Sequence, residues 1–199
     1  MDRLKNSPKH LTLKQINEKA QDFFKGNKGY DKIPVPIEEI VCRYYKYEII
    51  PASNLYRDIG IEGYVVPHKK EMYIDELVYD NTSPNRFNST LAHEVGHLVL
   101  HHELMRKFKN EEEVLGFLTS YDEESLDWVE KQAWTYARYL LLPSHRFDKK
   151  LKEFIIERKL ESMLPMHIPM LLKTPIAKHF EVADHMAKIR IQMHLETGI

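Results

Sequence analysis

The chain has 199 residues, 43% of them hydrophobic and 30% charged, with 29 basic side chains against 30 acidic ones. That size and apolar content suffice for one domain with a buried core and exclude a wholly disordered chain. The formal net charge of -1 excludes a strongly basic nucleic-acid binder, and the single cysteine, Cys42, excludes disulfide frameworks and cysteine zinc cages. Against that cysteine stand 11 histidines, so metal chemistry here must run on nitrogen and oxygen ligands.

The N-terminal MDRLKNSPKHLTLK reaches no apolar h-region, and no stretch approaches 18 consecutive apolar residues. The expectation is a cytoplasmic protein that does not span a membrane. Residues 11–25 place Leu13, Ile16, Ala20, Phe23 and Phe24 at helical spacing, with Gly26 at the end. Ile33 to Pro36 reads as an extended connector, and Pro36 opens a second helix from Ile37 to about Tyr45. Between Tyr47 and Asp75 three short β-rich runs (48–50, 63–66 and 71–75) predict a small, mostly antiparallel sheet with a hairpin over Tyr64 to Ile74. Ser83 and Pro84 suit the start of a long helix to about His102, with Phe87, Leu91, Val95, Leu98 and Val99 on its buried side. Residues 103–130 are locally acidic and read as a solvated face or loop. A helix from about Glu124 to Leu142 ends at Pro143, and 144–199 reads as helical, broken at Pro165, Pro169 and Pro175.

His93-Glu94-Val95-Gly96-His97 is an H-E-x-x-H sequence. On a helix, residues four apart share a face, so both imidazoles can point at one metal ion while Glu94 reaches a water beside it. Two imidazoles and a carboxylate would leave an open fourth position on one Zn2+ ion, with Glu94 as general base and acid in attack on a carbonyl. Histidine and carboxylate also suit manganese and iron, so zinc is a preference of ligand type.

The third ligand must come from elsewhere. Position 103, where some related enzymes carry a third histidine, is Glu103, and no glycine precedes it at position 100. His101 lies about 12 Å from His93 along a straight helix, too far to share one small ion, which leaves it a supporting or packing role; His102 points to the surface. A downstream carboxylate remains: Glu123, Glu124, Asp127 or Glu130. Glu130 is best placed, because Val129, Ala133, Ala137 and Leu140 form an apolar stripe that turns this part of the helix inward.

Thr90 to His101 (TLAHEVGHLVLH), Glu130 to Ala133 (EKQA) and Leu140 to Pro143 (LLLP) resemble the ImmA/IrrE metallopeptidases. So do the upstream PVPIEEI, GYVV and YID segments, in the same order over roughly residues 33–190. The resemblance implies that the third zinc ligand is Glu130, the glutamate of the family's E-x-x-A-N motif. It also implies a narrow, regulatory protease whose substrate is a helix-turn-helix repressor or antitoxin, cut to relieve repression. One departure stands out: Trp134 occupies the place of the family asparagine and cannot supply its hydrogen-bond acceptor. His101, Tyr136 or a backbone carbonyl could take over that task. Tyr121, Tyr136 and His145 are the candidates for stabilising an oxyanion.

The expected architecture is α+β: an N-terminal helical segment (1–32), a zincin-like metallopeptidase core with its sheet packed on helices (33–143), and a helical C-terminal extension (144–199) with helix-turn-helix-like packing. In that extension Asp184 to Gln192 could serve as a DNA-reading helix through Lys188, Arg190 and Gln192. Residues 144–199 have a weakly positive balance and Asp184 would repel phosphate, which favours packing or partner docking over DNA binding. The competing functional class is a catalytically silent protein that binds its partner repressor, or DNA, through these helices. Met163, Met166 and Met170 are expected to fill a core.

Overall fold

The structure, a computed structural model, describes residues 9–80, 84–120 and 123–198. In chain order the first helices are α1 (Leu13–Gly26), α2 (Ile37–Glu39, continuing as a π-turn over Ile40–Tyr44), α3 (Leu55–Ile59) and α4 (Glu76–Tyr79). The central ones are α5 (Pro84–Leu100), α6 (His102–Met105), α7 (Glu111–Ser120) and α8 (Glu123–Leu141). The last are α9 (Ser144–Glu157), α10 (Ile168–Phe180) and α11 (Asp184–Thr197). The architecture is α+β, with three strands, β1 (Glu48–Ala52), β2 (Gly63–Val66) and β3 (Glu71–Asp75). The chain divides into two compact units: Met1–Leu11 with Ile37–Ala137, and Thr12–Pro36 with Arg138–Ile199.

In the first unit the sheet has the order β1-β3-β2. β2 and β3 form the expected hairpin, with Tyr64 opposite Tyr73 and Gly63 opposite Ile74. β1 pairs with β3 in parallel, so the sheet is mixed. The parallel pairing follows from the connection: the chain leaves β1, crosses through α3 and returns along β2 before β3 takes the central position. Val65, Val66, Met72 and Ile74 are fully buried, as are Leu91, Ala92 and Val95 of α5 and Ala133 and Ala137 of α8. Position 63 needs glycine, because a Cβ there would lie 3.0 Å from the Tyr73 carbonyl oxygen and 3.2 Å from Thr90 Cγ2. Two carboxylates, the buried Asp75 and the half-buried Glu62, organise the loops. Asp75 caps α4 at the Leu77 amide and also accepts from the Tyr56 amide. Glu62 accepts from Arg86 and from the Thr90 hydroxyl, tying the start of β2 to α5.

The second unit is helical. Thr12 and Gln15 form a reciprocal capping box at the start of α1, whose Ile16, Ala20, Phe23 and Phe24 are buried. Pro175 does not break the chain but sits inside α10. It removes one backbone hydrogen bond there, offset by burial of Leu172, Ile176, Ala177 and Phe180. That same stripe explains the methionines. With Ile168 and Leu172 facing inward, Met166 and Met170 are 74% and 55% exposed, and Met163 is also exposed, contrary to the core-filling expectation.

The α10 and α11 pair turns at Glu181, which adopts a left-handed conformation. Arg190, which a DNA-reading helix would present, is instead fully buried. Its guanidinium lies 4.7 Å from the Tyr139 ring and 4.3 Å from the Phe147 ring, and donates to Ser144 Oγ. Burial pulls it down to about 10 against the charges of Tyr139 and Asp148. Arg190→Ala is expected to destabilise the protein by about 2–5 kcal/mol through the lost volume and the lost hydrogen bond to Ser144, whereas Arg190→Met should cost clearly less. Urea denaturation of both variants checks this, and an alanine variant as stable as wild type would refute the structural role.

Candidate metal centre

α5 presents His93 and His97 one turn apart on a buried face, at 6% and 8% exposure. The helix α8 crosses it so closely that a Cβ on Gly96 would lie 2.7 Å from the Ala133 carbonyl oxygen and 3.0 Å from its Cα. Only glycine allows that approach. Glu130 lies one turn before Ala133 on α8, and the crossing brings its carboxylate to the two imidazoles.

The resulting triangle is small. His93 Nε2 and His97 Nε2 are 3.1 Å apart, His93 Nε2 lies 3.0 Å from Glu130 Oε2, and His97 Nε2 lies 3.2 Å from Glu130 Oε1. A tetrahedral ion with bonds of about 2.0–2.1 Å separates its ligand atoms by roughly 3.3 Å, so the edges fit one small divalent cation. Each Nε2 faces two other ligand atoms while it can carry at most one proton, so hydrogen bonding alone accounts poorly for the arrangement. Among the described residues these three form a group able to hold a metal ion.

The two carboxylates sit in opposite electrostatic settings. Burial would raise the Glu130 carboxyl, but hydrogen bonds from His93 and His97 and their charges hold it well below the usual carboxylate range. Glu94 is 4% exposed. Burial pushes its carboxyl up to about 7, the Glu130 charge adds to the rise, and His97 opposes it.

A polar chain runs behind His97. His101 is 2% exposed and its Nδ1 lies 3.2 Å from His97 Nδ1. Burial first, then the charge of His97, draws the His101 imidazolium down to about 3, while the neighbouring Gln132 side chain, whose oxygen is an acceptor for the charged form, opposes the shift. A neutral His101 can accept a hydrogen bond from the His97 Nδ1–H, which leaves His97 Nε2 with its lone pair directed at the triangle. Gln132, 4% exposed, is itself anchored to the Lys9 carbonyl oxygen. His93 has no such support: its Nδ1 is buried without a hydrogen-bond partner among the described residues. The Trp134 ring instead stacks beside it, 4.3 Å between centroids and tilted by 31°.

The other sequence candidates are not brought to this site. Asp127 is exposed and paired with Lys131, and Tyr136 is buried against Tyr45. His145 pairs with Asp31 in the second unit, and His102 is exposed. Tyr121 and the side chains of Glu123 and Glu124 lie outside the described residues.

His93, Glu94, His97 and Glu130 open into a cleft of about 400 Å³. Tyr56, Ile61, Glu62 and Thr90 line one part of it, and Leu104, Met105, Phe108, Val114, Phe117 and Val129 another. A family model for the IrrE N-terminal-like domain, Peptidase M78, matches residues 65–192. The chain belongs to this family. Its domain is of metallopeptidase type, and the matched span contains the whole ligand triangle and Glu94. No curated protein matches the chain.

Sequence reasoning missed Gly96 as the crossing point, Gln132 behind His101, and the apolar wall from α6 and α7. The only advance signal for Gly96 was a glycine inside an otherwise apolar helix, which more often marks a packing constraint than flexibility. Gly96→Ala is expected to cost about 1–3 kcal/mol and to move Glu130 away from the histidine pair. Lowered thermal stability together with weakened zinc retention would bear this out, while a variant that keeps both would exclude a spacing role.

Proposed function

We propose that the protein is a zinc-dependent endopeptidase in which His93, His97 and Glu130 hold one zinc ion and Glu94 moves the proton. The observation that carries this reading is the triangle of two imidazole nitrogens and a carboxylate, edges 3.0–3.2 Å, beside a buried Glu94 in a cleft of peptide-binding size. Bound in the triangle, zinc would supply Lewis-acid polarisation and lower the pKa of a water to roughly 7.

The chain's own residues do the rest. Glu94 accepts a proton as water oxygen attacks the peptide carbonyl carbon, then delivers it to the nitrogen as the C–N bond breaks. Its burial suits both tasks, because a carboxyl near neutrality takes and gives a proton at similar cost. Glu130, held ionised by the histidines, remains a ligand and does not compete for that proton. His101 fixes the tautomer and ring plane of His97, taking over for that ligand the task the family asparagine would perform.

We further propose that the substrate is a helix-turn-helix repressor or antitoxin, cut to relieve repression, in the cytoplasm where such regulators act. Family membership and the narrow cleft support this reading. No helix among the described residues is long and apolar enough to cross a membrane. A second reading, partner binding without cleavage, draws on the unsupported His93 Nδ1 beside Trp134.

Purified protein should carry about one equivalent of zinc, and His97→Ala should abolish it in elemental analysis. Glu94→Gln should retain the metal yet fail to cleave a helix-turn-helix regulator that the wild-type zinc protein cuts. An intact regulator in both reactions would favour the non-cleaving reading. His101→Phe should weaken zinc binding about 10- to 100-fold in chelator competition; unchanged affinity would remove His101 from the metal support.

A further inference from the structure

We infer that the part of the cleft walled by α6, α7 and the start of α8 is a specificity subsite for a large aliphatic or aromatic substrate side chain next to the scissile bond. This inference rests on the peptidase reading above and names what that site accepts.

The described residues that line the cleft are of two chemical kinds. The residues preceding α5 contribute Tyr56, Gly60, Ile61 and Glu62, and α5 adds Thr90. There the Glu62 carboxylate is already engaged by Arg86 and Thr90. The residues following α5 contribute Leu104, Met105, Phe108, Val114, Phe117 and Val129. Phe108 and Phe117 pack against each other, 4.9 Å between ring centroids, and form a wall. Leu104, Met105, Phe108, Val114 and Val129 are buried, while Phe117 is half-buried and forms the rim.

None of these six wall residues is charged or offers a side-chain hydrogen bond. Among the described residues, the charged or titratable groups lining the cleft are Glu62, His93, Glu94, His97 and Glu130, none of them on α6 or α7. A charged substrate side chain entering here would lose its hydration and gain no partner. A leucine, methionine or phenylalanine side chain would leave water and meet matching surface. The wall begins three residues beyond His101, past the end of α5 nearer His97, so a side chain held there belongs to a residue beside the bond presented to Glu94. Large apolar side chains are buried in a folded regulator. The recognised segment must therefore be a linker or a locally opened stretch.

The test uses full-length, zinc-loaded protein and three tripeptide hydroxamates of one backbone, bearing isobutyl, carboxymethyl or no side chain at the residue next to the hydroxamate. Isothermal titration calorimetry should show the isobutyl compound binding about tenfold or more tighter than the carboxymethyl one. Phe117→Asp and Phe108→Ser should each reduce that gap below about threefold. Phe117→Leu should preserve it, and zinc content and binding of the unsubstituted hydroxamate should stay unchanged in all three. Equal binding of the two substituted compounds to wild type, or a preference that survives both disruptive variants, would overturn the subsite and leave the zinc centre standing. Failure of wild type to hold zinc or to bind the unsubstituted hydroxamate would overturn the peptidase reading and the subsite with it.

Discussion

Gly96 and Ala133 set the distance between the two helices that make the centre, and the chemistry depends on that distance. Ligands to one small ion must converge within a few tenths of an ångström, a tolerance that loops meet poorly and packed helices meet well. His93 and His97 lie within one turn of Gly96, and Glu130 lies one turn before Ala133. Every ligand is therefore anchored next to the point where the backbones touch, where relative motion of two helices is smallest. A methyl group at position 96 would meet backbone atoms, not a side chain that could rotate away. The fold thus places its strictest steric requirement inside the motif that carries the chemistry.

That close packing also creates an electrostatic problem. Burial opposes ionisation of both Glu94 and Glu130, yet the two respond in opposite directions. The difference is local: Glu130 touches both histidines, while Glu94, one residue along α5, does not share their triangle. One carboxylate is thereby held ionised against the two histidines and the other kept close to protonation. A divalent cation in the triangle would relieve the burial of both. The support behind the ligands is uneven in the same sense. His97 has His101 and Gln132 behind it, whereas His93 has the face of Trp134. An indole face limits the ring's rotation by contact but accepts no proton from Nδ1, so the two imidazoles differ as donors to the same ion.

What the sequence made legible is what helical periodicity encodes. The four-residue spacing of His93 and His97 and the apolar stripe that turns Glu130 inward depend only on neighbours along one helix. Non-local relations were not encoded in that way. The parallel pairing of β1 with β3 depends on which strand takes the centre of the sheet, and nothing within Glu48 to Ala52 specifies it. Gly96 could be read as a spacer only once its partner helix was known. Arg190 looked like a surface cation because charge predicts exposure, yet two aromatic rings and a serine hydroxyl stabilise it in the interior. The acidic stretch after α5 misled for a related reason. Its glutamates do lie on the outside, but they share α7 with Val114 and Phe117, which line the cleft.

In the proposed reading, chemistry and recognition are carried by different parts of the chain. The ligands and Glu94 stand on α5 and α8, long helices whose positions are fixed by backbone contact at Gly96. The apolar wall stands on α6, α7 and the connection between them, short elements whose side chains can change without disturbing that contact. A substitution at Phe117 alters the shape and polarity offered to a substrate while the triangle keeps its edges, whereas a substitution at Gly96 alters both. In the proposed reading, this separation would let one rigid metal site serve different substrates through changes in a short surface segment, consistent with binding residues being carried on connections above a fixed scaffold. The local acidity of that segment then has a physical role: Glu112 and Glu113 keep the outer face of α7 in water, so that its inner face can remain apolar against the cleft.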